Sequence, residues 1–410
     1  MGLSRRFLNL IVESRIPGVK SLRCIDLTRQ HFFNNTTPQP LNGNGSESEE
    51  GPQDATSWAP AADAGNLKNT HTTAGASALK MGRIWLPSPS FNFRATTSSV
   101  EEDKQMHCFP IGDRRVICAD QSGSCFLVDA ERRRVVTMPH LHKPKSAPLP
   151  LFVPSADPDD HNDGGGILFV MESAPEPEEG CSAQLSHQFE AFVYRKPVSI
   201  YYHKSWHCHP LPPPPFVCDR KCRENLPKIS SYAVVSGGSH VCISVEGAGS
   251  YFLDTASYTW SHERAWTLPF RGKVEYVPEL KLWFGFSAKD QSLAAADLTD
   301  TDSQPQLVSP WKEFNPHEEW QVSQDPQVVN LGLGRFCIAR FFHNRTLNRD
   351  CKDEPNEQNC AVLTGVEVVP SRVPEANGNG GNGKVDLHMI THKSRRYMSN
   401  GSDGVINTVF

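Results

Sequence analysis

Residues 250–270 read SYFLDTASYTWSHERAWTLPF: an apolar run closed by Asp254, a polar turn, Trp260, then Leu268-Pro269. Residues 125–141, CFLVDAERRRVVTMPHL, repeat that order, with Asp129 in the place of Asp254 and Met138-Pro139 in that of Leu268-Pro269. An Asp at a strand end bonds backbone amides two residues on and so turns the chain. A Pro soon afterwards ends pairing and sends the chain elsewhere. Recurrence of this punctuation predicts repeated small antiparallel sheets.

Outward from this stretch, the chain is built of runs of four to eight β-branched and aromatic residues broken by Gly, Pro, Asn or Asp. No window of about 11 residues sustains helical spacing, so the chain reads as all-β. The runs fall in groups of about four. YAVV, HVCISVE, SYFLD and YTWSH form one group from Tyr232, and KVEYV, LKLWFGFS, SLAAADL and LVSPW another from Lys273. Asp254 and Asp297, which end the third runs, are 43 residues apart (297 − 254), close to the roughly 40–50 residues of a propeller blade. Three further groups start near Met106, Pro150 and Gln327, and the first 34 residues supply three runs, Phe7–Glu13, Ser21–Leu27 and Gln30–Asn34.

These groups predict one domain over 1–410, a β-propeller of six four-stranded blades. Asp129, Asp254 and Asp297 are expected in equivalent structural turns. Val135, Trp206, Trp260 and Trp311, on fourth strands, are expected to pack between neighbouring sheets. A closed ring removes vulnerable edges, so Val405–Phe410 is expected beside Phe7–Glu13 as the innermost strand of the first blade. Residues 36–80, rich in Asn, Gly, Ser, Thr and Glu, read as a disordered insertion, and 155–166 and 370–383 as mobile loops.

The chain carries 41 Lys and Arg against 46 Asp and Glu, a formal charge of −5, which gives no electrostatic basis for nucleic-acid binding. No apolar run approaches the roughly 18 residues of a membrane span. The opening MGLSRRFLNLIVES lacks a secretory pattern, and Arg6 stands where a myristoylation signal wants Ser or Thr. A soluble monomer in the cytoplasm or nucleus is expected.

The densest cluster of ligand-type residues is WHCHPLPPPPFVCDRKC, 206–222. His207, His209, Cys218 and Cys222 are residue types that zinc prefers. Strand alternation sets His207 and His209 on one face and Cys208 on the other, and the gap from Cys218 to Cys222 is longer than the common two residues. A surface pair of histidines followed by a linker is the simpler reading, with no bound metal or other cofactor. Cys351 and Cys360 bracket an acidic stretch that lacks EF-hand spacing and reads as a solvated loop with reduced thiols. HKSRR, 392–396, reads as a rim turn rather than an import signal, and LPPPPF, 211–216, as a spacer between blades. No G-x-S-x-G, H-E-x-x-H or phosphate-cradling glycine loop is present, so no catalytic residue is assigned.

RRFLNLIVESRIPGVKSLRCIDL, the central SYAVVSGGSHVCISVEGAGSYFLDTASYTWSHERAWTLPF, VEYVPELKLWFGFS, and RFCIARFF with LTGVEV and HKSRRY resemble a grass-expanded plant family, domain of unknown function 1668. The resemblance implies a kelch-like or F-box-associated propeller; the double Gly of a kelch repeat stands here as Gly247-Ala248-Gly249. It carries no catalytic residues. Relatives often place an F-box in front, whereas Arg6–Asp26 already reads as strand. The expected function is non-enzymatic: a scaffold binding a protein partner through rim loops. The alternative is a propeller enzyme or small-ligand binder near the central channel, galactose-oxidase-like, with His, Asp or Tyr converging from several blades.

Overall fold

A computed structural model describes residues 5–34, 81–96, 104–157, 160, 164–176, 185–196, 203–219, 227–346, 356–370, 386–399 and 404–410. The stretch 36–80, residues 158–159 and 161–163 of the first expected loop, and 371–383 of the second lie outside these residues. Among the described residues, no helix is long and apolar enough to cross a membrane.

The strands form small, mainly antiparallel groups, most of them built from consecutive elements. The first sheet holds β1 (Phe7–Glu13), β2 (Val19–Asp26) and β4 (Phe91–Arg94), with β25 (Val405–Val409) on its inner edge. The second is β5 (Met106–Pro110), β6 (Arg115–Asp120), β7 (Cys125–Asp129) and β8 (Arg134–Thr137). The third is β9 (Pro148–Pro154), β10 (Gly166–Glu172), β11 (Ser186–Arg195) and β12 (Ser205–Leu211), followed by a single helical turn, α1 (Pro215–Cys218). The fourth group is β13 (Ile229–Val235), β14 (His240–Val245), β15 (Gly249–Asp254) and β16 (Trp260–Arg264). The fifth is β17 (Phe270–Val277), β18 (Leu282–Ser287), β19 (Leu293–Ala296) and β20 (Leu307–Trp311). The sixth is β21 (Trp320–Gly332), β22 (Arg335–Thr346), β23 (Asn356–Pro370) and β24 (Leu387–Met398), with β3 (Gly82–Arg83) added parallel to β24 on the outside. The fourth and fifth groups join where β13 and β17 pair in parallel, Tyr232 opposite Lys273.

The cores lie between sheets, as expected when each sheet buries both faces. Ile11, Leu22 and Phe93 of the first sheet meet Val116, Cys118 and Val128 of the second. Phe109 and Ile117 of the second meet Leu168 and Phe192 of the third, and Phe169 and Phe189 of the third meet Val241 and Tyr251 of the fourth. Phe252 and Trp283 link fourth to fifth, and Phe284 and Phe336 fifth to sixth. Leu331, Cys337 and Leu363 of the sixth then pack on Leu8, Leu10 and Ile406 of the first. The chain is an all-β propeller.

β25 runs antiparallel to β1, Leu10 opposite Val409 and Glu13 opposite Val405. Asn9 and the terminal Phe410 exchange backbone bonds of 2.8 and 3.0 Å. The third described strand of the first sheet is Phe91–Arg94, not Gln30–Asn34. Gln30–Asn34 is irregular, and its Phe32 and Phe33 are buried against the sixth sheet. Gly365 permits that packing, because a Cβ there would stand 2.6 Å from the Phe32 carbonyl oxygen. HKSRR lies within β24 rather than in a turn, and Cys360 is buried in β23 rather than in a solvated loop. Val135 is 55% exposed, the reverse of the expected packing. Its neighbour Val136 points at the core instead, because alternation on the outermost strand turns every second residue to solvent.

Candidate functional site

Glu190 lies within an apolar run of β11, QFEAFV, and its side chain is wholly buried. A buried carboxylate requires partners, and the crossover from β8 to β9 supplies them. The His142 amide donates to Oε2 at 2.8 Å, the Lys143 amide to Oε1 at 3.3 Å, and His142 Nδ1 stands 2.6 Å from Oε2. Lys145, itself buried, sets its ammonium on Oε1 and donates to the Lys143 carbonyl at 2.6 Å. From β12, Cys208 donates its thiol to Oε2 at 3.4 Å, and the His187 ring stacks on His142 at 5.5 Å.

Burial alone would raise the Glu190 carboxyl; the Lys145 bond and charge and the His142 amide outweigh it and hold the group below its ordinary range. The Cys208 thiol is driven the other way, upward, by burial and by the Glu190 charge. His142, Glu190 and Cys208 each bring a ligand-type atom within 4.8 Å of the others. The donor set does not fit a divalent cation, because the buried Lys145 ammonium already pairs with the carboxylate and repels a second positive charge there. Chemically, the cluster is a buried ion pair that fixes a crossover between sheets. Glu172 at the end of β10 braces the same crossover by accepting from the amides of Ser146 and Ala147, both at 2.9 Å.

Among the described residues, His207, His209 and Cys218 form no ligand group of the kind that holds a metal. His207 and His209 share a face of β12, their rings stacked at 6.2 Å. Arg195 Nη2 lies 2.9 Å from His209 Nε2, and burial, then the Arg195 charge, lower the affinity of that imidazole for a proton. A guanidinium in this position also repels a metal ion. Cys218 ends α1 and is disulfide-bonded, which takes its thiolate from any metal, and Cys222 lies outside the described residues.

Asp129 and Asp254 end the third strand of their groups, and Asp297 directly follows that of the fifth. Asp129 accepts from the amides of Glu131 and Arg132 at 3.1 and 3.0 Å and pairs with Arg115 at 2.9 Å. Asp254 accepts from the amides of Ala256 and Ser257 at 3.0 and 2.6 Å, and Asp297 from that of Thr299 at 2.9 Å. Trp260 donates Nε1 to the Pro212 carbonyl at 2.9 Å and meets Phe189 edge-on, while Trp311 stacks on Phe284.

Side chains of β21 bond to the main chain of β25. Gln324 and Gln327 both donate to the Asn407 carbonyl at 3.1 Å, and the Val409 amide donates to Gln327 Oε1 at 2.8 Å. Lys20 Nζ lies 3.4 Å from Asn407 Oδ1 and 3.6 Å from Glu13 Oε2. At the opposite end Arg5 reaches Asp113 at 3.1 Å and the Asn330 carbonyl at 3.4 Å. A cavity of ≈ 150 Å³ lies off-axis, where Phe341, His343 and Tyr397 meet Ile406.

Sequence reasoning missed Glu190, Lys145 and His142, although an acid inside QFEAFV was a visible signal.

No curated protein matches the chain. Among solved structures, the Cps50 (Swd1) β-propeller domain of Myceliophteria thermophila is 11% identical, with 50% of this chain and 57% of that one covered and a TM-score of 0.29. A structural genomics protein of unknown function from Bacteroides thetaiotaomicron is 9% identical over 65% of this chain and 57% of that one, with a TM-score of 0.32. Apo AztD from Citrobacter koseri is 9% identical over 98% and 99%, with a TM-score of 0.32. The chain thus spans less than two thirds of the first two of these proteins. Over residues 5–397, nearly its whole length, the sequence matches the family described as Protein of unknown function (DUF1668), and the chain belongs to that family.

Proposed function

We propose that this protein is a non-enzymatic, kelch-like propeller scaffold of plant cells that binds a protein partner through the loops of one rim. One observation carries the reading. Ile16 in the β1–β2 turn, Leu185 ahead of β11 and Val322 near the start of β21 are 60%, 61% and 59% exposed. By strand direction all three belong to the end of the ring from which the innermost strands set out. Apolar side chains collected at one rim are the usual anchor of a protein interface. The small-ligand alternative needs an open axial funnel, whereas Gln324, Gln327 and Asn407 bond across the inner strands. The off-axis cavity of ≈ 150 Å³ is below the roughly 300 Å³ of ordinary ligand pockets.

The test compares affinity purification of the wild type with that of the folded Ile16→Glu/Val322→Glu double variant, each read by mass spectrometry. A reproducible protein recovered by the wild type and lost in the variant supports the reading. Equal recovery by both, or a metabolite or metal co-purifying in place of a protein, overturns it.

A further inference from the structure

Cys108 on β5 and Cys118 on β6 stand directly opposite each other, in a ladder without a register shift. Their sulfurs are 3.7 Å apart. The Ile111 amide donates to the Arg115 carbonyl at 3.0 Å, which marks Ile111 and Arg115 as a hydrogen-bonded pair. Hydrogen-bonded and non-hydrogen-bonded pairs alternate along an antiparallel ladder, so the pair three residues back, Cys108 and Cys118, is of the non-hydrogen-bonded kind. Such pairs hold their Cα atoms about 4.5 Å apart, within the window of about 4.4–6.8 Å that a disulfide spans. Closure needs rotation of side chains and no change of register.

Access is unequal. Cys118 is wholly buried and Cys108 half-buried. Burial pushes the Cys118 thiol well up, so it is not the group that meets an oxidant first. Cys125 on β7 donates its thiol to the Gly123 carbonyl at 3.3 Å and packs on the opposite side of the sheet. Cys108 and Cys118 share the side facing the first sheet, with Ile11, Leu22 and Phe410.

We propose that Cys108 and Cys118 form a reversible oxidation site whose oxidant is a hydroperoxide. With hydrogen peroxide, the Cys108 sulfur attacks one peroxide oxygen, the O–O bond breaks, and the other oxygen takes the Cys108 proton and leaves as water. The sulfenic acid so formed is attacked by the Cys118 sulfur; the S–S bond forms, the S–O bond breaks, and the departing hydroxide takes the Cys118 proton. Two thiols and one hydrogen peroxide thus become one disulfide and two waters, with sulfur oxidised and peroxide oxygen reduced. A dithiol reductant reverses the step by thiol–disulfide exchange. The bond would tie the two inner strands of the second sheet together behind the strand that closes the first.

The test uses the full chain, reduced, freed of reductant and treated with hydrogen peroxide. Remaining thiols are blocked with N-ethylmaleimide and the protein is digested without reductant. The expected product is a peptide pair joined through Cys108 and Cys118, more abundant than any other cross-link except the re-formed one through Cys218, and abolished by dithiothreitol. Cys125→Ala should retain the link and Cys108→Ala should lose it; the wild-type digest decides even where a variant fails to fold. The proposal is overturned if both residues stay reduced while the circular dichroism remains native. It also fails if Cys108 advances to sulfinic acid without a cross-link, or if Cys118 joins Cys125 instead.

Discussion

Replacing Glu190 by Gln removes one charge and leaves the Lys145 ammonium in place, with almost no surface of its own. Breaking a buried pair from one side costs about 3–5 kcal/mol, because the remaining charge is uncompensated. Gln retains one carbonyl oxygen to accept from the crossover amides, so the loss is expected at the lower end, about 3 kcal/mol. Lys145→Met in the same chain removes the stranded charge, and the double variant should recover at least about 1 kcal/mol relative to Glu190→Gln. Urea denaturation provides the measure, through a lower midpoint at an unchanged slope. The pH dependence has a definite sign. The folded carboxyl is held below its ordinary value of 4.5, so its contribution is complete above that value and is lost as pH falls through the folded one. Glu190→Gln should therefore shallow the acid limb of the stability profile. A variant within about 0.5 kcal/mol of the wild type, or a double variant as unstable as the two single losses added, would refute the ion-pair reasoning.

Four further outcomes are expected. Deleting Val405–Phe410 removes three buried apolar side chains, Ile406, Val409 and Phe410, at about 1.5–3 kcal/mol each; an unchanged thermal midpoint would show that the seam does not depend on this strand. Asp129→Ala strips two amide bonds and the ion pair with Arg115, a loss of about 2–3 kcal/mol in chemical denaturation. Trp260→Phe keeps the ring against Phe189 but loses the bond to the Pro212 carbonyl, and should cost about 1 kcal/mol by the same measure. Cys337 is fully buried, which pushes its thiol up to about 12; iodoacetamide at mildly alkaline pH should modify it only after unfolding, and labelling in the native state would contradict its placement.

What the sequence disclosed depends on how local the cause is. Asp254 and the amides it turns are two and three residues apart, and strand alternation is more local still, so the turns and the β class are legible. The first sheet is misread because its outer strand, Phe91–Arg94, follows β2 only after a long insertion. Gln30–Asn34 looks like a strand because of its adjacent Phe32 and Phe33, yet those two rings serve to fill the gap against the sixth sheet. Val135 and Val136 are chemically equal, and only the facing of β8 separates the exposed one from the packed one. The ion pair is least legible of all. Lys145 and Glu190 are 45 residues apart, and their meeting depends on how a crossover folds back over the next sheet. The partner of His209 was illegible for a related reason, since Arg195 approaches it from a neighbouring strand.

The parallel pairing of β13 with β17, Ser231 opposite Gly272 through Ala233 opposite Val274, makes one continuous eight-stranded sheet of the fourth and fifth groups. Between the second and third sheets, strand order changes without such a ladder, and the contact is through side chains. Separating the fourth group from the fifth thus requires breaking backbone bonds as well as exposing Phe252 and Trp283. The two should open as one cooperative unit, with amides of Tyr232 and Val274 among the last to exchange with solvent deuterons. Stretched from its ends, the ring would be expected to yield first at the seam held by β25, leaving this double sheet as the part from which refolding starts.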